Sequence, residues 1–317
     1  MTTQHPLLHA MKAQRKAQGT DTMWLRETAQ AGKIDFGVAP TPTTSGAMKL
    51  TVGKGYYHFD AAASVAPPPP PPPPNGAPPL PTGPITLPDG TAVPAATFLT
   101  TFASQPTGTY WFESNNPGAG YNTKWPGNLA VPSAQGLQIT TENQGGVVAS
   151  GGVGMDAAYA QSGAINVADF TIMYGRVLAN LVRYGLWWPG NWPIEQEFDQ
   201  IEGWPGASRM TWHGESNNTA VGHILQTALA EAGVWYAVRT IWKPGASGYL
   251  STLVGDSFDS LTLQSELSAS ELPATIDGTP HAFDLAVEAE GPIDVTTDLA
   301  TPNVDVIGGL ALYSLAA

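Results

Sequence analysis

The 317-residue chain contains no cysteine, which excludes disulfides, thiolate metal centres and thiol catalysis together. Charge is scarce as well: Asp, Glu, Lys and Arg make up only 12% of the residues, about half the usual share. No apolar run reaches the roughly 18–20 residues a membrane span needs. Residues 1–18 carry Lys and Arg but no apolar stretch, so no secretory signal is read there. Glycine (35), proline (29) and aromatics (9%) are plentiful by contrast. That balance belongs to an all-β protein with many turns rather than to a helical bundle.

The net charge of −13 is unevenly spread. Residues 1–66 hold Lys12, Arg15, Lys16, Arg26, Lys33, Lys49 and Lys54 against four acids, a net of +3, which leaves a net of −16 on the rest. A surface that acidic repels nucleic acid and anionic lipid, so neither is expected as a partner, while neutral polymers are compatible with it.

Residues 67–74 are eight consecutive prolines, followed by Asn75-Gly76 and four more prolines up to Pro84. Such a run forms polyproline II, a semi-rigid rod of about 25 Å for the octaproline. It predicts three parts: a small basic module over 1–66, a Pro-rich linker over 67–88 and a main domain over 89–317. In the first, residues 6–18 and 21–31 read as short helices closed by Gly19 and Gly32. Residues 47–52 and 56–60 read as strands around Gly53-Lys54-Gly55. A module this small needs support from copies of itself or from a larger assembly.

Beyond the linker, residues 137–141, 176–182, 197–202, 209–213, 234–241, 248–254, 281–288 and 305–315 read as short strands between Pro-Gly, Asn-Pro-Gly and Asp-Gly turns. The expected fold is therefore mainly β: a two-sheet antiparallel β-sandwich after a small α+β module.

The most informative stretch is residues 187–204, where four carboxylates and four tryptophans fall within 18 residues of a domain otherwise sparing with charge. On a regular strand Glu197 and Asp199 share a face and Glu202 points to the other. One bulge between Asp199 and Glu202 returns Glu202 to the shared face. Two glutamates flanking an aspartate suit a retaining glycosidase if the outer carboxyls approach to about 5–5.5 Å. The plainer reading is acids on the wet face of a half-exposed strand. Trp188, Trp192 and Trp204 favour the first, because sugar rings stack on indoles. His213 is a candidate partner for a carboxylate or a sugar hydroxyl.

These residues resemble glycoside hydrolase family 16, whose laminarinase-like members carry Glu-x-Asp-x-x-Glu on a bulged strand of a jelly roll. Here that is Glu197-Phe198-Asp199-Gln200-Ile201-Glu202, with Trp192-Pro193 before it and Met210-Thr211-Trp212-His213 after it. Tyr174-Gly175-Arg176-Val177 is similar to the family's Tyr-Gly strand, and Trp235-Tyr236-Ala237-Val238 with Trp242-Lys243-Pro244-Gly245 to its aromatic strand and turn. The resemblance implies Glu197 as nucleophile, Asp199 as assisting carboxylate and Glu202 as acid/base, acting on β-glucans, galactans or related polysaccharides. It also implies an optional structural calcium, for which Asp305 is a candidate, and no other cofactor. Gln196, Gln200, Leu178 and Asn180 depart from the family pattern, the last where a sugar-contacting Arg is frequent.

The basic module, the rod and a sugar-active sandwich together resemble a bacteriophage tail or virion surface protein. The expectation is a polysaccharide hydrolase displayed on a virion through residues 1–66, held by other virion proteins or self-copies. The alternative is a carbohydrate-binding adhesion protein with little turnover. Arg183 and Arg209 read as too isolated for a phosphate site.

Overall fold

A computed structural model describes residues 25–27, 34–36, 49–53, 56–60, 76–106, 108–111, 113–114, 123–155, 166–188, 197–204, 207–213, 220–224, 229, 231–271 and 282–314. The chain divides into two compact units, Met1–Pro70 and Pro71–Ala317.

In the first unit, Lys49–Gly53 and Tyr56–Asp60 form an antiparallel hairpin, in the place the sequence predicts. The helix expected over 21–31 is not formed: Leu25–Glu27 is a strand paired with Ile34–Phe36, Leu25 opposite Phe36. An isolated eleven-residue helix is marginal in water, so local propensity alone does not hold this segment helical. The helix expected over 6–18 and the octaproline lie outside the described residues.

The second unit is a two-sheet β-sandwich of the jelly-roll kind. Along the larger, 11-stranded sheet run Thr262–Ser268, Tyr249–Gly255, Trp235–Lys243, Asn166–Met173, Asn303–Ser314 and Gly136–Asn143, then the short strands Val148–Ala149, Thr123–Pro126 and Glu113–Ser114. The 7-stranded sheet has the order Ala220–Ile224, Arg209–His213, Glu197–Gly203, Leu181–Trp188, Ala282–Ala289, Gly152–Met155 and Thr109–Trp111. Pairing is antiparallel except where Thr123–Pro126 meets Val148–Ala149.

Large rings from both sheets fill the space between them. Trp242 of the larger sheet meets Phe198 at 5.0 Å and Trp187 at 5.9 Å between ring centroids, and Phe170 meets Phe283 at 5.8 Å. Phe198, Trp187 and Phe283 point inward, so the alternate residues of their strands point away from the core. This alternation places the carboxylates on the outer face.

One strand expectation needs correction and one strand was not anticipated. Residues 76–88, within the expected Pro-rich linker, pack on the sandwich. Ala77, Ile85 and Leu87 are buried, Tyr313 Oη donates to the Pro81 carbonyl at 2.8 Å, and the segment lies over Val167, Ile241, Leu253 and Ala311 of the larger sheet. Its apolar residues, spaced between the prolines, find a face that would otherwise be wet. Residues 176–180, expected in a strand, form a turn, and the strand begins at Leu181. The turn is fixed by Gly175, where a Cβ would lie 2.2 Å from the Val304 carbonyl oxygen, and by Arg176, which donates to the carbonyls of Asp298 and Thr301. The strand Asn166–Met173 was not anticipated. It is buried along its length although it carries Asn166, Asp169 and Thr171, and Asp169 is paired at 2.7 Å with Arg239 of the neighbouring strand.

Candidate active site

The strand Glu197–Gly203 pairs on one side with Arg209–His213 in the order Glu197 to His213, Phe198 to Trp212, Asp199 to Thr211 and then Glu202 to Arg209. The register slips by one residue between Asp199 and Glu202. On the other side Leu186 faces Asp199 and Gly185 faces Ile201, which leaves Gln200 as the extra residue. This is the bulge that strand parity demands, and it turns all three acids to one face.

Gln200 does not share that face. It is fully buried, its Nε2 donates to the Ile241 carbonyl at 2.9 Å, and its own carbonyl accepts from Thr252 Oγ1 at 2.7 Å. Both partners belong to the opposite sheet. The polar residue that departs from the family pattern is thereby accounted for.

Asp199 and Glu202 are buried, and Glu197 is half-buried. Asp199 Oδ2 lies 2.8 Å from His213 Nε2, and the Asp199 carboxyl lies beside Glu197. Burial, with the Asp199 charge beside it, pushes the Glu197 carboxyl well above the usual carboxylate range. Burial also raises Asp199, against the opposing pull of His213.

Glu202 has a different environment. Arg209 Nη2 donates to its Oε1 at 2.6 Å and Arg209 Nε to its Oε2 at 2.7 Å, while Thr211 Oγ1 adds a third bond to Oε2 at 2.8 Å. The local chain makes this pairing inevitable once the bulge exists. The antiparallel register sets Arg209 opposite Glu202, and Ala207 N donates to the Trp204 carbonyl at 2.9 Å. Gly203 adopts φ +140°, and a Cβ there would come within 2.6 Å of the Ala207 carbonyl oxygen, so only glycine fits.

Further acids share the face. Tyr184, opposite Glu202 in the neighbouring strand, donates to Glu288 Oε1 at 2.8 Å and also contacts Glu290 Oε1. Burial pushes Glu288 up to about 7. Asp284, fully buried, is pushed up to about 7 by the same cause and accepts from Tyr110 Oη at 2.8 Å. Burial thus raises the carboxyls of Glu197, Glu288 and Asp284, whereas Glu202 is gripped by a guanidinium.

Of the other candidates, Trp204 is half-buried one residue beyond the strand. Trp188 ends the strand Leu181–Trp188, and Trp192 lies outside the described residues. Asn180 is not on a strand: it takes a left-handed φ of 65°, and its Nδ2 donates to the Pro292 carbonyl at 3.0 Å, a turn-closing role. Arg209, Tyr184, Asp284 and Glu288 were missed. The period-two pattern of residues 282–289 puts Asp284 and Glu288 on one face, and the bulge itself fixes Arg209 opposite Glu202. Both signals are in the sequence.

One ligand atom each from Asp199, Glu202 and His213 lies within 4.8 Å of the others, a metal-sized grouping. It does not suit a metal ion, because the Arg209 guanidinium already supplies the positive charge at Glu202 and His213 occupies Asp199. Asp305 does not suit calcium either. Its Oδ2 accepts from Arg183 Nε at 3.0 Å, and its Oδ1 accepts from Arg183 Nη2 at 3.2 Å and Gly175 N at 2.7 Å. Arg183 is thus a core cation with a partner, not an isolated one.

No protein-family model matches the sequence, and no characterised protein sequence matches it. The fold, however, has solved relatives. An endo-1,3-β-glucanase from Streptomyces sioyaensis superposes with a TM-score of 0.56 at 17% identity, covering 76% of this chain and 100% of its own. An endo-β-1,3-glucanase from Pyrococcus furiosus gives 0.56 at 16% identity, covering 75% and 100%. A β-glucanase from Bacillus licheniformis gives 0.53 at 14% identity, covering 70% and 99%. At these identities the likeness establishes a shared fold: the sandwich is built as β-glucanases of glycoside hydrolase family 16 are built.

Proposed function

We propose that this protein is a retaining, endo-acting polysaccharide hydrolase of the β-glucanase kind. The observation that carries the reading is the one-residue bulge that brings Glu197, Asp199 and Glu202 to a single outer face, with His213 on the middle acid. Glucanases of the same fold, one of them a family 16 enzyme from Bacteroides ovatus held with an oligosaccharide product, supply the substrate class.

In the first step an ionised Glu197 attacks the anomeric carbon while Glu202 gives a proton to the glycosidic oxygen. The bond from that carbon to the departing chain breaks and an ester to Glu197 forms. In the second step water, giving its proton to Glu202, displaces Glu197 and restores the starting configuration. Asp199, beside Glu197 and backed by His213, receives the proton that Glu197 must shed before it attacks. Trp204, with Trp188 and Trp192 before the triad in sequence, supplies stacking surfaces for sugar rings.

A second reading, binding with little turnover, is favoured by one observation: all three bonds at Glu202 come from protein donors. The virion expectation accompanies either reading and rests on the basic character of residues 1–66 and the proline rod; immunodetection on purified particles tests it.

The deciding experiment is reducing-sugar release from β-1,3-glucan, mixed-linkage glucan, galactan and bacterial envelope polysaccharides, with Glu197→Gln and Glu202→Gln alongside. Turnover by the native chain that both substitutions abolish is the expected result. Binding of one polymer that survives both, without turnover, selects the second reading.

A further inference from the structure

Arg209 stands where a general acid would be least helped by a cation. It grips both oxygens of Glu202 through two parallel bonds, 2.6 and 2.7 Å long, the strongest geometry a carboxylate can find in a protein. Thr211 adds a third. A carboxylate so engaged is purely an acceptor, yet the reaction requires Glu202 to present a proton to a glycosidic oxygen. The grip is also reversible in form: Glu202 is 4% exposed, whereas the Arg209 side chain is 54% exposed, at the face where a polymer would lie. The inner partner is fixed and the outer one has room to swing away.

We infer that Arg209 is a latch on Glu202, a positioning residue that holds the acid/base in a resting state and slows turnover until the guanidinium is displaced. The inference rests on the hydrolase reading. Glutamine at 209 removes the charge. Lysine keeps it but, as a point charge on a flexible stem, cannot reproduce the two parallel bonds. The pair forms across two strands that already share a backbone ladder, so the fold closes without it.

The test is steady-state kinetics of the full-length native chain, Arg209→Gln and Arg209→Lys on whichever β-glucan the native chain cleaves, or on the whole panel if it cleaves none. Circular dichroism of each variant is recorded in parallel. The expected result is a kcat for Arg209→Gln at least about tenfold above the native value, a fraction of the roughly 10²–10⁴-fold that a positioned general acid supplies. KM stays within about twofold, and Arg209→Lys falls between. A structural role would instead lower kcat or leave it unchanged. Cleavage by the native chain with no gain in either folded variant overturns the latch and leaves the hydrolase intact. Absence of cleavage by all three overturns both, since freeing Glu202 then fails to produce chemistry. Absence in the native chain with cleavage by Arg209→Gln supports the latch in its strongest form.

Discussion

The Tyr110 ring lies against Gly154, so close that a Cβ on the glycine would come within 2.0 Å of the phenol Cζ, while the phenol hydroxyl donates to Asp284 Oδ1 at 2.8 Å. The three residues sit side by side on adjacent strands of the 7-stranded sheet, Gly154 paired with both of the others. The missing side chain at 154 is what lets the phenol reach its carboxyl.

Gly154→Ala is expected to push the ring out and part the Tyr110–Asp284 bond, at a cost of about 1–3 kcal/mol. Urea unfolding monitored by tryptophan fluorescence measures it. Gly83→Ala serves as the control, because a Cβ there meets nothing within 4 Å, and its midpoint should barely move. Equal losses in the two variants would refute the packing account.

Asp284 makes the sandwich sensitive to pH in a direction opposite to ordinary acid denaturation. Its folded value, about 7, lies above the unfolded value near 3.8. Between those limits the folded state binds more protons than the unfolded one, so stability falls as pH rises through the window. Asp284→Asn should match the native melting temperature near pH 4 and exceed it at pH 8, by roughly 1–3 kcal/mol in stability. A native melting temperature that climbs from pH 4 to pH 8 in parallel with the variant would dispose of this prediction.

Turnover should depend on pH through Glu197. Attack needs the ionised carboxylate, and burial together with Asp199 raises this carboxyl. Activity is therefore lost as pH falls through the raised value, and the acid limb of kcat/KM should stand well above the ordinary glutamate range near 4.3. Asp199→Asn removes the neighbouring charge and should move that limb to lower pH while reducing kcat. A limb that stays put in the variant would show that burial alone sets it.

Much of the site was legible because its signals are local. Glu197, Asp199 and Glu202 lie within six residues of one another, and strand parity alone requires a bulge if they are to act together. The hairpin at 49–60 and the strands near 209–213 and 235–243 were legible for a similar reason: each shows alternation or a turn at its ends. The strand Asn166–Met173 was not, because its polar Asn166, Asp169 and Thr171 are buried with its apolar residues, and the Arg239 that holds Asp169 lies 70 residues further on. The turn at 176–180 was misread as a strand because what bends it is remote: the Val304 carbonyl against Gly175 and the carbonyls of Asp298 and Thr301, more than 120 residues away in sequence. Arg209 was passed over for a different cause. Counted along the chain it has no neighbouring charge, and only the slipped register makes Glu202 its partner.

Gln200, the residue that adds the extra step between Asp199 and Glu202, is the same residue that is fastened to Ile241 and Thr252 across the core. The offset between the two acids is therefore gauged from behind, by a sheet that carries none of the triad. Thr252 belongs to the site in that sense though it faces no substrate. Drift in the seating of one sheet on the other would be felt first as a change in how far Glu202 stands from Asp199, so the spacing of the two acids is inherited from the stiffness of the whole sandwich.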